Sequence, residues 1–76
     1  MKKHSHYYKD VSQLNSIDVY RVCQLFEVND SAISHAIKKL LCAGIRGQKD
    51  KFKDITEAID TLERWQQMQI EDIQSK

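Results

Sequence analysis

The sequence predicts an all-α protein, a small three-helix domain with a polar N-terminal arm and a long C-terminal helix. Apolar residues recur at helical spacing in three separate stretches, and no segment alternates apolar and polar residues with the period of a strand. The 76 residues contain no proline, which would interrupt a helix. A chain of this length forms one domain. We assign it to residues 1–76, with the arm at residues 1–15 and the helical core at residues 16–73.

The arm is polar and is predicted to be an extended segment or loop, with Tyr7 and Tyr8 as its bulky anchors. The first helix is predicted from about Ile17 to Phe26. Ser16 is the predicted N-cap, because a serine hydroxyl accepts a hydrogen bond from an N–H of the first turn. The apolar residues of this segment repeat at positions i, i+3, i+4 and i+7, on one helical face: Val19, Val22, Cys23 and Phe26.

The second helix is predicted after a turn at Glu27–Asp30, with Asp30 or Ser31 as its cap. Its apolar residues also share one face: Ile33, Ala36, Ile37, Leu40 and Leu41. Gly44 follows at the position where a helix end favours a left-handed residue, a conformation that glycine adopts without steric penalty. We therefore expect the second helix to end shortly before Gly44.

A basic loop at Ile45–Lys49 leads to the third and longest helix, predicted to begin near Asp50, with residues 74–76 fraying. The apolar stripe of this helix is wide: Phe52, Ile55, Ala58, Ile59, Leu62 and Trp65, extended by Met68, Gln69 and Ile73. Two shorter helices do not cover so wide a stripe, so we expect a homo-oligomer through the third helix. The alternative is that Tyr7 and Tyr8 fold back over it.

Composition excludes several classes of protein. The net charge is +1, so bulk charge argues neither for nor against nucleic-acid binding. No apolar run reaches the roughly 20 residues of a membrane span, and the N-terminus lacks the apolar core of a signal peptide. Cys23 and Cys42 lie in apolar helical patterns, which favours small buried thiols in a reducing compartment over a disulfide framework. We therefore expect a cytoplasmic protein without a membrane partner.

Several short motifs follow one another along most of the chain. They are His6-Tyr7, Ile17-Asp18-Val19, the segment from Ala36 to Gly44, Arg46-Gly47, and the segment from Asp54 to Trp65. Over about residues 6–66 the chain resembles the small phage proteins described as nucleotide-kinase-like, a domain that also occurs in larger podovirus nucleotide kinases. The resemblance implies a protein of the infected host cell that binds a nucleotide or a related phosphate ligand.

Two positions depart from that family's pattern, because Lys39 stands in place of a tyrosine and Cys42 in place of an arginine. The chain also lacks a Gly-x-x-x-x-Gly-Lys-Ser/Thr loop. No carboxylate pair suited to Mg²⁺ stands out, although phosphoryl transfer usually needs a metal site. Kinase activity is implied by the resemblance alone. We assign no catalytic residue and expect no cofactor and no metal.

The candidate ligand site is the basic loop between the second and third helices. The backbone N–H groups at a helix start and nearby cations together suit a phosphate. The residues predicted to bind ligand are His6, Tyr7, Lys38, Arg46, Lys49 and Lys51. His6 and Tyr7 are included on the family pattern. The structural alternative is a solvated basic loop, a solvated lysine on the second helix, and a tyrosine that packs the arm onto the core.

A second resemblance covers Arg21–Ile37, which is similar to the Cro-type helix-turn-helix of phage repressors. In that interpretation four side chains face the major groove: Ser31, Ser34, His35 and Lys38. The glycine usual in the turn is Glu27 here, and glutamate adopts the left-handed conformation less readily.

Three functional hypotheses follow. The first is a nucleotide-binding, kinase-like phage protein. The second is a non-enzymatic phage inhibitor that sequesters a nucleotide signal or binds a host defence protein. The third is a helix-turn-helix regulator that binds DNA.

Overall fold

The computed structural model describes residues 5–45 and 47–75, apart from the side chain of Lys49. It confirms the all-α prediction. A short 3₁₀ turn at Ser5–Tyr7 precedes three α-helices, α1 (Val19–Leu25), α2 (Ser31–Leu41) and α3 (Gln48–Gln74), and the described residues form no strand. None of the described helices is both long enough and apolar enough to cross a lipid bilayer.

Helix α1 begins two residues later than predicted, because Asp18 and not Ser16 caps it. The Asp18 backbone is extended, and its carboxylate accepts a hydrogen bond from the Arg21 N–H at 2.9 Å. This satisfies one of the first-turn donors that a helix leaves without an intrahelical partner. The helix is therefore only seven residues long, too short to be stable without packing.

Helix α2 has the predicted boundaries. Asp30 is the N-cap, and one oxygen of its carboxylate accepts hydrogen bonds from the N–H groups of Ala32 at 2.8 Å and Ile33 at 3.1 Å. After Leu41 the chain turns through Gly44, whose φ of 80° confirms the left-handed conformation expected there. A side chain at Gly44 would also meet Lys51, since an added Cβ atom would lie 2.9 Å from the Lys51 Cβ atom.

Helix α3 begins at Gln48, two residues before the predicted start, and its first intrahelical hydrogen bond runs from the Lys51 N–H to the Gly47 carbonyl at 3.0 Å. It continues to Gln74, where fraying was predicted, and the Ser75 N–H donates to the Glu71 carbonyl. Lys76 lies outside the described residues. The helix has 27 residues, against 11 in α2.

Helices α2 and α3 pack as an antiparallel pair joined by polar contacts at two levels. At one end the Trp65 indole N–H donates to the second Asp30 oxygen at 2.9 Å. Toward the other end Lys39 pairs with Asp54 and Glu57 of α3. Ala36 and Ala58 lie between these contacts and are buried, which lets the two helix axes approach closely. Helix α1 packs on α2 and not on α3.

Large apolar side chains contribute little buried core. Among the described apolar residues only Ala36 and Ala58 are buried, and no large side chain is fully enclosed. Tyr7 and Tyr8, the alternative cover for the α3 stripe, remain 64% and 59% exposed. The polar contacts, more than the burial of large apolar side chains, therefore fix the register of α2 against α3.

Acid should weaken the Asp30 contact. Hydrogen bonds from the Ile33 N–H, then from Trp65 and Ala32, hold the pKa of Asp30 below its ordinary value of 3.8. The stabilisation from this group is therefore present above pH 3.8 and is lost as the pH falls through the lower folded-state pKa. We expect Asp30→Asn to lower the Tm at neutral pH, because the amide presents an N–H where Trp65 needs an acceptor. Far-UV circular dichroism melts across the acid range measure this.

Trp65→Phe is the partner variant, since it removes the donor and keeps an aromatic ring. Its effect on Tm should be smaller in the Asp30→Asn background than in the natural chain, because the shared hydrogen bond is already gone. A difference between the natural chain and Asp30→Asn that stays constant down to the lowest pH would contradict the assignment.

Candidate functional site

A cleft of about 400 Å³ opens where the end of α2, the following turn and the first part of α3 meet. Among the described side chains, six line it: His35, Lys38, Lys39, Cys42, Ile45 and Asp54. Four of them recur at i, i+3, i+4 and i+7 along α2 and the residue that follows it, which puts them on one helical face. One face of α2 thus forms one wall of the cleft, and α3 packs beside it and contributes Asp54.

Lys39 serves the packing of α2 on α3. Its ammonium lies 2.6 Å from a Glu57 oxygen and 3.7 Å from an Asp54 oxygen, and Asp54 is only 8% exposed. The hydrogen bond with Glu57 is the main cause that raises the pKa of Lys39 above 10.5 and lowers the pKa of Glu57 below 4.5. Both groups therefore stay charged at neutral pH, and the two carboxylates neutralise this lysine.

Lys38 has a different environment. Its ammonium lies 5.1 Å from the centroid of the Tyr20 ring and 3.4 Å from the tyrosine hydroxyl. Tyr20 comes from α1 and is 69% exposed. In the described part of the chain no carboxylate lies within ion-pair distance of Lys38. An exposed aromatic ring and an uncompensated cation therefore stand together beside the cleft.

The predicted loop residues lie only partly within the described structure. Lys51 is in the first turn of α3, with its aliphatic stem against Gly44. Arg46 and the side chain of Lys49 lie outside the described residues. Of these three predicted cations, the structure therefore describes the side chain of Lys51 alone, at the start of α3.

His6 and Tyr7 lie in the 3₁₀ turn of the arm, with their ring centroids 4.2 Å apart. They are not among the side chains that line the cleft, whereas Lys38 is. Of the predicted ligand-binding residues whose side chains the structure describes, Lys38 is therefore the one in this cleft.

Sequence reasoning missed Tyr20 and Asp54 as neighbours of Lys38 and Lys39. Tyr20 is 18 positions from Lys38, and no local periodicity connects residues on separate helices. Cys42 also differs from expectation. It was predicted to be a buried thiol, but it is exposed at the cleft, where it is the C-cap residue that ends α2. Cys23 is half-buried, and both cysteines are free thiols.

The α1–turn–α2 segment has features of the second predicted site. Glu27 adopts a left-handed backbone with φ 56°, at the position where a helix-turn-helix usually has glycine. Of the four side chains predicted to face DNA, Ser31, His35 and Lys38 are exposed and Ser34 is half-buried. In the described part of the chain, no group of three or more His, Cys, Asp or Glu side chains has the arrangement of a metal site.

Comparison of the chain with protein families, with curated protein sequences and with solved structures finds no match in any of the three. The two phage resemblances therefore stay predictions.

Removal of the Lys39 ammonium should destabilise the α2–α3 pair. The Lys39→Met variant leaves Asp54, which is nearly buried, without its cation, so we expect a lower Tm at neutral pH. The loss should be smaller when Asp54→Asn is added, because the uncompensated carboxylate is then gone. Thermal unfolding monitored by circular dichroism measures all of these variants.

The stabilisation by this pair spans a defined pH range. It is lost as pH falls through the lowered pKa of Glu57, and as pH rises through the raised pKa of Lys39. The Tm difference between the natural chain and Lys39→Met should therefore shrink below pH 4.5. An acid-independent difference would contradict an ion-pair origin of this stabilisation.

Proposed function

We propose that the chain binds a nucleotide or a related phosphate-bearing ligand at the cleft between α2, the turn at residues 42–45 and α3. The observation that carries this proposal is the pairing of Lys38, which lines that cleft, with the exposed ring of Tyr20, which lies outside the lining. A nucleotide offers an anion and a flat aromatic base, which are the two partners that a lysine and a tyrosine ring accept.

The size of the cleft supports a ligand of this class. Its volume of about 400 Å³ lies within the roughly 300–1,000 Å³ that small-molecule sites occupy. A mononucleotide fits such a volume when part of it remains exposed, as an open cleft allows.

The charges around the cleft favour binding of an anion at Lys38. Lys39 is neutralised by Asp54 and Glu57, so Lys38 is the lysine of the described lining whose charge is available. Lys51, in the first turn of α3, adds a second cation. The backbone N–H groups at the start of this helix also favour an anion.

We propose binding and not phosphoryl transfer. The sequence lacks the glycine-rich Lys-Ser/Thr loop that cradles a transferred phosphate. Asp54, the carboxylate of the described lining, is already paired with Lys39, as is Glu57, whereas transfer chemistry needs carboxylates placed to hold a metal or a nucleophile.

A thermal-shift panel of mono-, tri- and cyclic nucleotides, with inorganic phosphate alongside, tests the proposal. A ligand at one hundred times its Kd should stabilise the folded protein by about 2.7 kcal/mol. Lys38→Ala should weaken binding of the active nucleotide by roughly tenfold or more, the usual effect of removing a charge-assisted hydrogen bond. Arg64→Ala, which removes one cation from a distant part of α3, should leave the affinity unchanged.

Further variants separate the phosphate from the base. Tyr20→Ala should weaken nucleotide binding while leaving any binding of inorganic phosphate intact, because only the base stacks on the ring. Lys51→Ala, alone and with Arg46→Ala, should also weaken binding, and it keeps the Cβ atom that packs on Gly44. A panel without any shift, or a shift that Lys38→Ala does not alter, would refute the proposal.

DNA binding is a second candidate function, because Glu27 adopts the left-handed conformation that a helix-turn-helix needs between its helices. Affinity for a mixed-sequence duplex should then fall steeply with salt, by a log–log slope of about −0.9 for each phosphate contacted. Ser31→Ala should weaken duplex binding without affecting nucleotide binding, since Ser31 does not line the cleft. The absence of duplex binding at low salt would exclude this function.

A further inference from the structure

The chain exposes far more surface than a compact protein of its size. Its accessible area is 6647 Å², whereas a compact monomer of 8.9 kDa exposes roughly 4,800 Å². Its radius of gyration is 15.6 Å, against about 11 Å for a compact chain of this length. The excess of roughly 1,800 Å² is larger than the ~800 Å² that each partner of a stable complex buries.

Part of this excess is an apolar row on α3, which we call the α3 seam: Ile59, Leu62, Gln66, Ile70 and Ile73. Its four aliphatic side chains are 41–73% exposed. Successive members are three, four, four and three residues apart, so they lie on one side of the helix. A hollow of about 370 Å³ lined by Ile59, Leu62 and Gln66, together with Glu63 and Trp65, lies along the first half of the row.

The second half of α3 extends beyond the helix pair. The N-terminus of α2 contacts α3 at Trp65, so residues 66–74 continue past the start of α2 for about 13 Å at 1.5 Å per residue. Helix α1 does not pack on α3. The overhanging segment includes Ile70 and Ile73, which are 47% and 73% exposed. The helix therefore needs a further partner on this side.

We propose that this partner is a second copy of the chain, whose α3 lies antiparallel against the α3 seam about a two-fold axis near Gln66. The spacing of the seam is the same in both directions from Gln66. The axis therefore places Ile59 against the partner subunit's Ile73 and Leu62 against the partner subunit's Ile70. The two Gln66 amides meet at the axis, where each can donate and accept a hydrogen bond.

The antiparallel direction follows from the overhang. In this arrangement the overhanging half of each α3 lies beside the half of the partner's α3 that carries α2. A parallel pair would set two overhangs side by side and would bring the two α2 helices to the same level. Only the antiparallel pair gives each overhang a packed helix pair as its neighbour.

Sedimentation equilibrium and light scattering of the full chain test this inference. We expect a mass of two protomers, or an even multiple, because an isologous pair is the repeating unit. Leu62→Glu should shift the mass to that of the protomer, while Gln67→Glu introduces the same charge on α3 outside the seam and should retain the assembly. Ile73→Glu, at a largely exposed position, repeats the test if Leu62→Glu unfolds the chain by circular dichroism.

Cysteine cross-linking tests the direction, in a background with Cys23→Ala and Cys42→Ser. A mixture of Ile59→Cys and Ile73→Cys chains should form disulfide-linked heterodimers, and Ile73→Cys alone should not cross-link. Self-linking of Ile73→Cys would overturn the antiparallel arrangement. A protomer or odd-numbered mass of the natural chain, or an assembly unaffected by both seam variants, would overturn the proposal.

Discussion

The carboxylate of Asp30 both caps helix α2 and joins it to helix α3. One oxygen closes the first turn of α2 through the N–H groups of Ala32 and Ile33, and the other accepts the indole N–H of Trp65 on α3. The same side chain therefore starts α2 and sets its register against α3. Because the charged form accepts all three hydrogen bonds, its pKa is depressed and it stays ionised well into acid.

The rest of the α2–α3 pair follows from that register. Ala36 and Ala58 become the buried contact between the helices, and Lys39 comes within reach of Asp54 and Glu57. Small side chains allow close packing of two helices but bury little apolar area. Polar contacts and association with other molecules therefore matter more for this chain than for a domain with a large core.

The same arrangement separates two neighbouring lysines. Lys39 turns to α3 and is neutralised there, while Lys38 stands beside the exposed ring of Tyr20 on α1. Although the two lysines are adjacent in sequence, Lys39 is thus a structural cation and Lys38 is a cation available to a ligand. The proposed ligand cleft lies near the start of α3 and the overhang lies at its end, so ligand binding and self-association would use different parts of one long helix.

The sequence by itself determined the helical class, the starts of the three helices to within two residues, a choice between Asp30 and Ser31 as the α2 cap, and the left-handed Gly44. These features depend on periodicity and capping, which act between residues a few positions apart. Only the tertiary structure decided that Trp65 reaches Asp30, 35 residues away, and that Tyr20 stands beside Lys38. It also decided that Cys42 is exposed and that Glu27 is left-handed. These outcomes depend on how separate helices pack together. Local sequence patterns do not predict which side chains such packing brings into contact.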